Sequence, residues 1–333
     1  MKNNVFRNKS ILVTGATGSI GSAITEHFFK YDFKVFRAIS NDENSIYELS
    51  ERLKKKGENL SHNMLKNKIR YLVGDIRDQK RCDEICKDID IVVHAAALKH
   101  VPICEYNPKE ALKTNFYGTK NMINASLKNK VKKFLFISTD KVVNPSSIMG
   151  LSKKKAEKLV LLANKKKGGN TKFSVIRFGN IIGSRGSVLP KFLSQIKNDE
   201  SLTITDKKMT RFFITIDSAI KEIINAITVM KGNEIFLIKN MKSIKIYDLA
   251  VSLKHFFTFK KKIVIQGSRE GEKNYEELAS NIELSKIKEL KNLLIISEQG
   301  KKLKKKNYII NSDYGKFLNE KQIINFLKTS KLI

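Results

Sequence analysis

Short, continuous apolar runs alternate along the chain with longer stretches of helical spacing. The runs Ser10-Ile-Leu-Val-Thr14, Lys34 to Ser40, Ile69 to Val73, Asp90 to His94 and Phe134-Leu-Phe-Ile137 have the length and composition of buried strands. Between and after them, Ser22 to Lys30, Glu43 to Leu53, a long segment within Asn107 to Asn129, and Ser152 to Asn164 read as helices. In the last of these, Ala156, Leu159, Val160 and Ala163 share one face. A polar loop is expected from Gly57 to Lys68. Strand and helix alternating in this way predict an α/β fold built on a doubly wound parallel sheet. Further on, Phe212-Phe213-Ile214 reads as a core strand and Lys245 to Phe257 as an amphipathic helix. A basic run at Lys301 to Lys306 precedes a final helix from Asn319, expected to close a second lobe. The chain therefore divides at about residue 178, with residues 179–333 forming mainly a smaller mixed α/β lobe and some elements returning to the first domain.

The strand-to-helix junctions carry the candidate chemistry. The first strand runs straight into Gly15-Ala16-Thr17-Gly18-Ser19-Ile20-Gly21. Glycines at such a junction let the backbone turn tightly and approach a pyrophosphate, whose charge meets the amides and dipole of the helix start. The second strand ends in Ser40-Asn41-Asp42, where a dinucleotide fold meets the adenosine ribose. Asn41 holds the position of an NADP-reading arginine and Asp42 follows it, so NAD and NADP both stay open; Asp42 reads equally well as a helix cap. Gly74-Asp75-Ile76 places Asp75 at the adenine edge. Ala95 and Ala96 allow close backbone approach, Lys99 stands beside them, and His100 reads as packed or solvated. Asn115 and Gly118 face the same side.

The fifth strand delivers Ser138-Thr139-Asp140-Lys141, then a loop bracketed by Pro145 and Gly150 that contains Met149, then Lys153 in the first turn of a helix. In open α/β sheets ligands bind at the carboxyl ends of the strands. A carboxylate, a hydroxyl and two ammonium groups thus meet at the favoured edge. Taken alone, the stretch reads equally as a capped strand-loop-helix with surface lysines.

With 333 residues and a hydrophobic fraction of 41%, the chain can bury a large core. The formal charge of +31 invites a nucleic-acid reading, but the lysines are spread over the whole length and accompany no nucleic-acid motif. Solvated surface, drawing in anionic substrates, is the expectation. Cys82, Cys86 and Cys104 do not make a disulfide framework; Cys82 and Cys86 stand at a metal-compatible spacing without a second ligand pair, so buried thiols and no metal are expected. No apolar run approaches the ~20 residues of a membrane span, nor a signal sequence, and a cytoplasmic protein is expected.

Together these residues resemble the extended short-chain dehydrogenase/reductases, through Gly15-x-x-Gly18-x-x-Gly21, Gly74-Asp75, Ala95 to Ala97, Asn115 and Lys153. Within that family the chain is similar to the UDP-N-acetylglucosamine 4,6-dehydratases of surface-polysaccharide synthesis. The likeness rests on Ala-Ala-Leu-Lys99-His-Val-Pro, Ser138-Thr-Asp140-Lys141, Asn144-Pro145, Arg177-Phe-Gly-Asn180 and Gly183-Ser-Arg-Gly-Ser-Val188-x-Pro190. It continues through Met209-Thr-Arg211-Phe, Arg269-x-Gly-Glu272-Lys273 and Asn311-Ser-Asp313. It implies a Rossmann fold, NAD or NADP as cofactor, a UDP-hexosamine substrate and a homo-oligomer. It also implies Lys153 at the nicotinamide ribose, Asn180 at a phosphate and Val188 to Pro190 at the uracil. Arg211 and Arg269, with Glu272 beside them, suit the diphosphate, because a guanidinium forks onto phosphate oxygens. The chain departs from the wider family at Met149, where a tyrosine is usual, a departure shared by a subset of these dehydratases. A soluble form without that subset's membrane helices is expected.

The chemistry sets its own demands. Water is hard to remove across carbons 5 and 6 of a hexose until a ketone at carbon 4 acidifies carbon 5. Hydride must leave carbon 4 and return to carbon 6, with a base and an acid for the protons. Asp140 and Lys141 are expected to supply them, with Thr139 hydrogen-bonding the substrate. Methionine transfers no proton, and neighbouring positive charge is expected to leave Lys141 neutral. A UDP-sugar 4-epimerase and a non-catalytic dinucleotide-binding regulator are the competing readings.

Overall fold

The computed structural model describes residues 4–28, 30–57, 68–166, 170–297 and 310–333. Residues 58–67 of the expected polar loop and the basic run 301–306 lie outside the described residues. The strands are β1 Ser10–Thr14, β2 Val35–Ser40, β3 Ile69–Val73, β4 Ile91–His94, β5 Lys133–Ile137, β6 Lys172–Arg177 and β7 Asn180–Ile181. They continue as β8 Leu202–Ile204, β9 Thr210–Ile214, β10 Ile235–Ile238, β11 Lys242–Lys245, β12 Ile263–Ile265, β13 Ile287–Leu290 and β14 Leu293–Ile296.

Nine strands form the main sheet in the order β13-β14-β10-β6-β5-β4-β1-β2-β3. From β3 to β10 every pairing is parallel; β14 and β13 add an antiparallel edge. Helices cover both faces, which is why β1 and β4 are buried along their whole length and read as unbroken apolar runs. Strand order reverses between β1 and β4, so a crevice opens there at the carboxyl ends of the strands. β10, β13 and β14, all beyond residue 178, lie in this same sheet.

The remaining strands build a second lobe. β11, β9 and β7 make a three-stranded sheet, and β12 pairs in parallel with β8. Its separate core includes Leu189, Phe192, Phe213, Ile244 and Leu249, together with Ile323 and Leu327 of the last helix, Glu320–Thr329. That helix starts at Asn319, whose side chain and that of Gln322 form a reciprocal cap. Among the described residues, no helix is long and apolar enough to cross a membrane.

The expected long helix within Asn107 to Asn129 differs in detail. Pro108–Leu112 is α-helical, Lys113–Gly118 widens into a π turn, and Thr119–Lys128 resumes the α-helix. The π turn brings Asn115 to the crevice, as such bulges often do at functional sites.

Candidate functional site

The glycine-rich turn lies in the crevice between β1 and β4. Gly15 has φ +64°, and a Cβ there would fall 2.7 Å from Ala96 Cα. A Cβ on Gly21 would sit 2.1 Å from the Gly15 carbonyl oxygen. The turn is thus held against Ala95 and Ala96 in a backbone-lined cradle at the start of the helix Ser19–Phe28, with Ile20 packed on the main core. Such a cradle fits a dinucleotide diphosphate. Thr17 Oγ1 lies 2.9 Å from Ser40 Oγ, linking the turn to the end of β2, and Asn41 is exposed just beyond. Asp42 accepts hydrogen bonds from the Ser45 amide and hydroxyl at 3.0 and 2.6 Å, which hold its carboxyl below the usual range. The capping role is therefore occupied. Asp75, followed by the buried Ile76, is engaged by Arg77, whose guanidinium approaches its carboxylate to 2.6 Å.

A chain of buried polar groups crosses the floor. Thr14 Oγ1 is 2.6 Å from His94 Nδ1, and His94 Nε2 is 3.1 Å from Thr119 Oγ1. Burial, and then the charge of Lys153, push His94 down to about 3, so it is neutral. Asn115 accepts from the Leu98 amide, donates to the Leu98 carbonyl, and donates to Ser152 Oγ. It locks the segment carrying Lys99 to the helix carrying Lys153. Lys153 lies on that helix, Ile148–Ala163, and donates to the Ile137 carbonyl at 2.6 Å, with its Nζ 3.9 Å from the Phe136 ring centre. Burial lowers it to about 7. Met149, one turn earlier, is buried beside Cys104 and Ala111.

At the end of β5, the short turn Asp140–Val142 gathers the other charges. Lys141 Nζ is 2.9 Å from Asp140 Oδ1, 3.2 Å from Asn180 Oδ1 and 3.6 Å from Glu276 Oε1. Thr139 Oγ1 donates to Asp140 Oδ1 at 2.9 Å. Asp140 is 0% exposed, while 21% of the Lys141 side chain reaches solvent. Asp140 Oδ2 has no hydrogen-bond partner; it faces Gly179, where a Cβ would lie 3.2 Å away. Burial raises the Asp140 carboxyl, against the pull of Lys141. Burial opposes the Lys141 charge as well, yet Asp140 and Glu276 outweigh it and hold the ammonium protonated. This corrects the expectation of a neutral Lys141: the buried lysine whose pKa falls is Lys153. Glu276 itself is 2% exposed, stays ionised against its burial through Lys141, Arg211 and Lys273, and pairs with Lys273 at 3.0 Å. Nothing in its local sequence marked it; only the fold brings it to Lys141.

Beside this cluster, Arg177 ends β6. Its Nε lies 3.0–3.1 Å from both Glu157 oxygens, its Nη1 donates to the Leu278 carbonyl, and its Nη2 meets Glu283 at 2.8 Å. Ser138 Oγ donates to Glu157 at 2.8 Å.

In the lobe, Arg211 is buried, and its guanidinium donates to the main-chain carbonyls of Thr210, Lys273 and Asn274. It holds the segment that carries Glu276. Glu272 Oε1 stands 3.9 Å from it, and Arg269 is exposed on the same segment. Val188 and Pro190 open the helix Val188–Lys197. The three thiols are buried and raised by that burial, Cys86 to about 12 and Cys104 to about 11. Among the described residues, no cluster of three or more His, Cys, Asp or Glu could hold a metal.

Known proteins share both the fold and much of the sequence. The chain is 42% identical over 305 residues to an uncharacterized membrane protein of Methanocaldococcus jannaschii, covering 89% of this chain and 88% of that one. It is 40% identical over 304 residues to a UDP-glucose 4-epimerase of Rickettsia bellii, covering 90% and 86%. Among solved structures, Pen from Bacillus thuringiensis superposes with a TM-score of 0.91 at 36% identity over 99% of both chains. DesIV, a dTDP-glucose 4,6-dehydratase of Streptomyces venezuelae solved with NAD, reaches 0.69 at 18% identity over 79% and 86%, a likeness of fold. The family model described as polysaccharide biosynthesis protein matches residues 11–298, and the chain belongs to that family.

Proposed function

We propose that the protein is a nucleotide-sugar 4,6-dehydratase acting on UDP-N-acetylglucosamine or a close UDP-hexosamine, with NAD or NADP held on the Gly15–Gly21 turn. The observation that carries this reading is the Thr139–Asp140–Lys141 cluster at the end of β5, a proton-handling group with methionine at position 149. When held by that turn and Lys153, the nicotinamide would supply reversible hydride transfer for carbon 4 and carbon 6 of the sugar.

The chain's own residues then handle protons. Thr139 is half-buried and donates to Asp140, so the proton of the 4-hydroxyl passes through its hydroxyl to the Asp140 carboxylate. Neutralising Asp140 removes one of the two charges that hold Lys141 protonated. Lys141, the exposed member, then releases its proton to solvent and takes the proton of carbon 5 as a neutral amine, while Asp140 returns the 4-hydroxyl proton through Thr139 to the departing 6-hydroxyl. The Lys141 ammonium later gives a proton back to carbon 5, and solvent restores its charge. The proton count closes, with one water released. Lys153, with a pKa near neutrality, would hold the nicotinamide ribose. Arg211 and Arg269, with Asn180, Val188 and Pro190, would bind the UDP, and Asp75 and Asp42 the adenosine.

The Rickettsia bellii relative supports a second reading, a UDP-sugar 4-epimerase. Incubation with UDP-N-acetylglucosamine, followed by mass spectrometry and proton NMR, separates the two. The dehydratase reading expects loss of one water with no net accumulation of reduced cofactor. A product of unchanged mass would favour the epimerase, and stoichiometric reduced cofactor would favour a dehydrogenase.

A further inference from the structure

The glycine-rich turn has no cation of its own. No charged residue occurs between Ser10 and Thr25, whereas the diphosphate of a dinucleotide carries two negative charges. Helix-start amides and the dipole offset part of that charge. Two cations reach the turn from elsewhere. Lys99 follows β4, and Arg185 comes from the other lobe, on the turn between Ile182 and Val188.

Arg185 is tied to the glycine-rich turn at both ends. Its backbone amide donates to Ser19 Oγ at 3.1 Å, and its guanidinium donates to the Thr17 carbonyl. Its own carbonyl accepts from Lys99 Nζ at 2.6 Å. The turn is shaped for this approach: Gly183 and Gly186 have φ +75° and +69°, and a Cβ on Gly186 would fall 2.4 Å from the His100 ring. Burial, and then the Arg185 charge, depress Lys99, so the two cations feel one another. Among the described residues, no carboxylate stands within ion-pair distance of either. A cleft of ≈ 320 Å³ opens beside Thr17, Ser19 and Arg185; Arg52, the other guanidinium lining it, pairs with Glu26 at 3.1 Å.

We propose that Arg185, carried by the substrate lobe, is a cofactor-binding residue that takes the dinucleotide diphosphate. The proposal rests on the reading of the Gly15–Gly21 turn as the dinucleotide site. A neutral carbonyl is the acceptor in the free protein; a phosphate oxygen is a stronger one, because the bond is then charged at both ends. Arg185 therefore leaves Thr17 for the diphosphate and closes the second lobe over the cofactor. Such a clamp suits a reaction in which the same cofactor must give back its hydride before it leaves.

Calorimetric titration of the full chain with NAD, ADP-ribose and adenosine tests this, comparing the parent with Arg185→Ala and Arg185→Lys. Arg185→Ala should weaken NAD and ADP-ribose about tenfold or more, Arg185→Lys should weaken them less, and adenosine should bind all three proteins alike, since charged hydrogen bonds contribute ~1.5–3 kcal/mol. Equal weakening of adenosine, or NAD binding unchanged in Arg185→Ala, would overturn the clamp. A parent that binds neither NAD nor ADP-ribose would overturn the dinucleotide reading and the clamp with it.

Discussion

Two buried charge clusters lie side by side where β5 and β6 end, and they are completed differently. Around Arg177, the guanidinium is divided among Glu157, Glu283 and the Leu278 carbonyl, and Ser138 also donates to Glu157. Around Lys141, one carboxylate oxygen of Asp140 has no partner, and 21% of the Lys141 side chain reaches solvent. Burial of a charge is tolerated when its hydrogen bonds are complete. The Arg177 cluster meets that condition and joins β6, the helix Ile148–Ala163 and the segment at Glu283 into one frame. The Lys141 cluster stops short of it. Both belong to motifs that read alike in sequence, yet one cluster has its hydrogen bonds completed and the other does not.

The comparison breaks first at Lys141. Lys141→Met should lower turnover by ~10²–10⁴-fold, the usual contribution of a general acid or base. UDP binding, measured by titration, should stay near that of the parent. A variant that still dehydrates the sugar at the parent rate would move the chemistry to Lys153 or a water. Arg177→Ala should act on folding instead. Removing one partner from a buried pair leaves Glu157 uncompensated and costs about 3–5 kcal/mol. Urea unfolding reads this directly, and a loss below about 1 kcal/mol would make the cluster a surface-like pair.

Glu276→Gln sharpens the contrast with a smaller effect. Glu276 and Asp140 together hold Lys141 protonated. Removing one of those charges should let Lys141 lose its proton at lower pH, shifting the pH profile of turnover downward. An unmoved profile would remove Glu276 from the cluster. The smallest effect concerns Lys153. Burial lowers its pKa from 10.5 to about 7, so above pH 7 the folded protein binds fewer protons there than the unfolded chain. Its contribution to stability therefore rises with pH between about 7 and 10.5 and is least favourable below that window. The stability advantage of Lys153→Met over the parent should shrink between pH 7 and pH 9. A constant difference would show that Lys153 keeps its charge.

Much of the architecture was legible because local signals agreed. Continuous apolar runs marked the buried parallel strands, and Gly15 to Gly21 marked the crevice through a backbone requirement that no other residue type meets. The π turn at Lys113–Gly118 was not legible: its residues have ordinary helical spacing, and the Asn115 contacts that accompany it lie at Leu98 and Ser152. The protonation of Lys141 was misjudged for the same kind of reason. Lys153, twelve residues on, suggested a repelling charge, but Glu276, 3.6 Å away, is brought in by the fold and joins Asp140 in holding the proton. His94 was visible only as the end of a strand, although it bridges Thr14 and Thr119 across the switch point. Arg185 lay within a motif already noticed, with no sign in sequence that it reaches back to Thr17.

The central claim is that Lys141, supported by Asp140, exchanges a proton at carbon 5 of the sugar. Turnover of UDP-N-acetylglucosamine by the parent protein in heavy water tests it most directly. The account predicts a product that has lost one water and carries deuterium at carbon 5, because the Lys141 ammonium faces solvent between the two proton transfers. A dehydrated product without deuterium at carbon 5, or one that has lost no water, would contradict it.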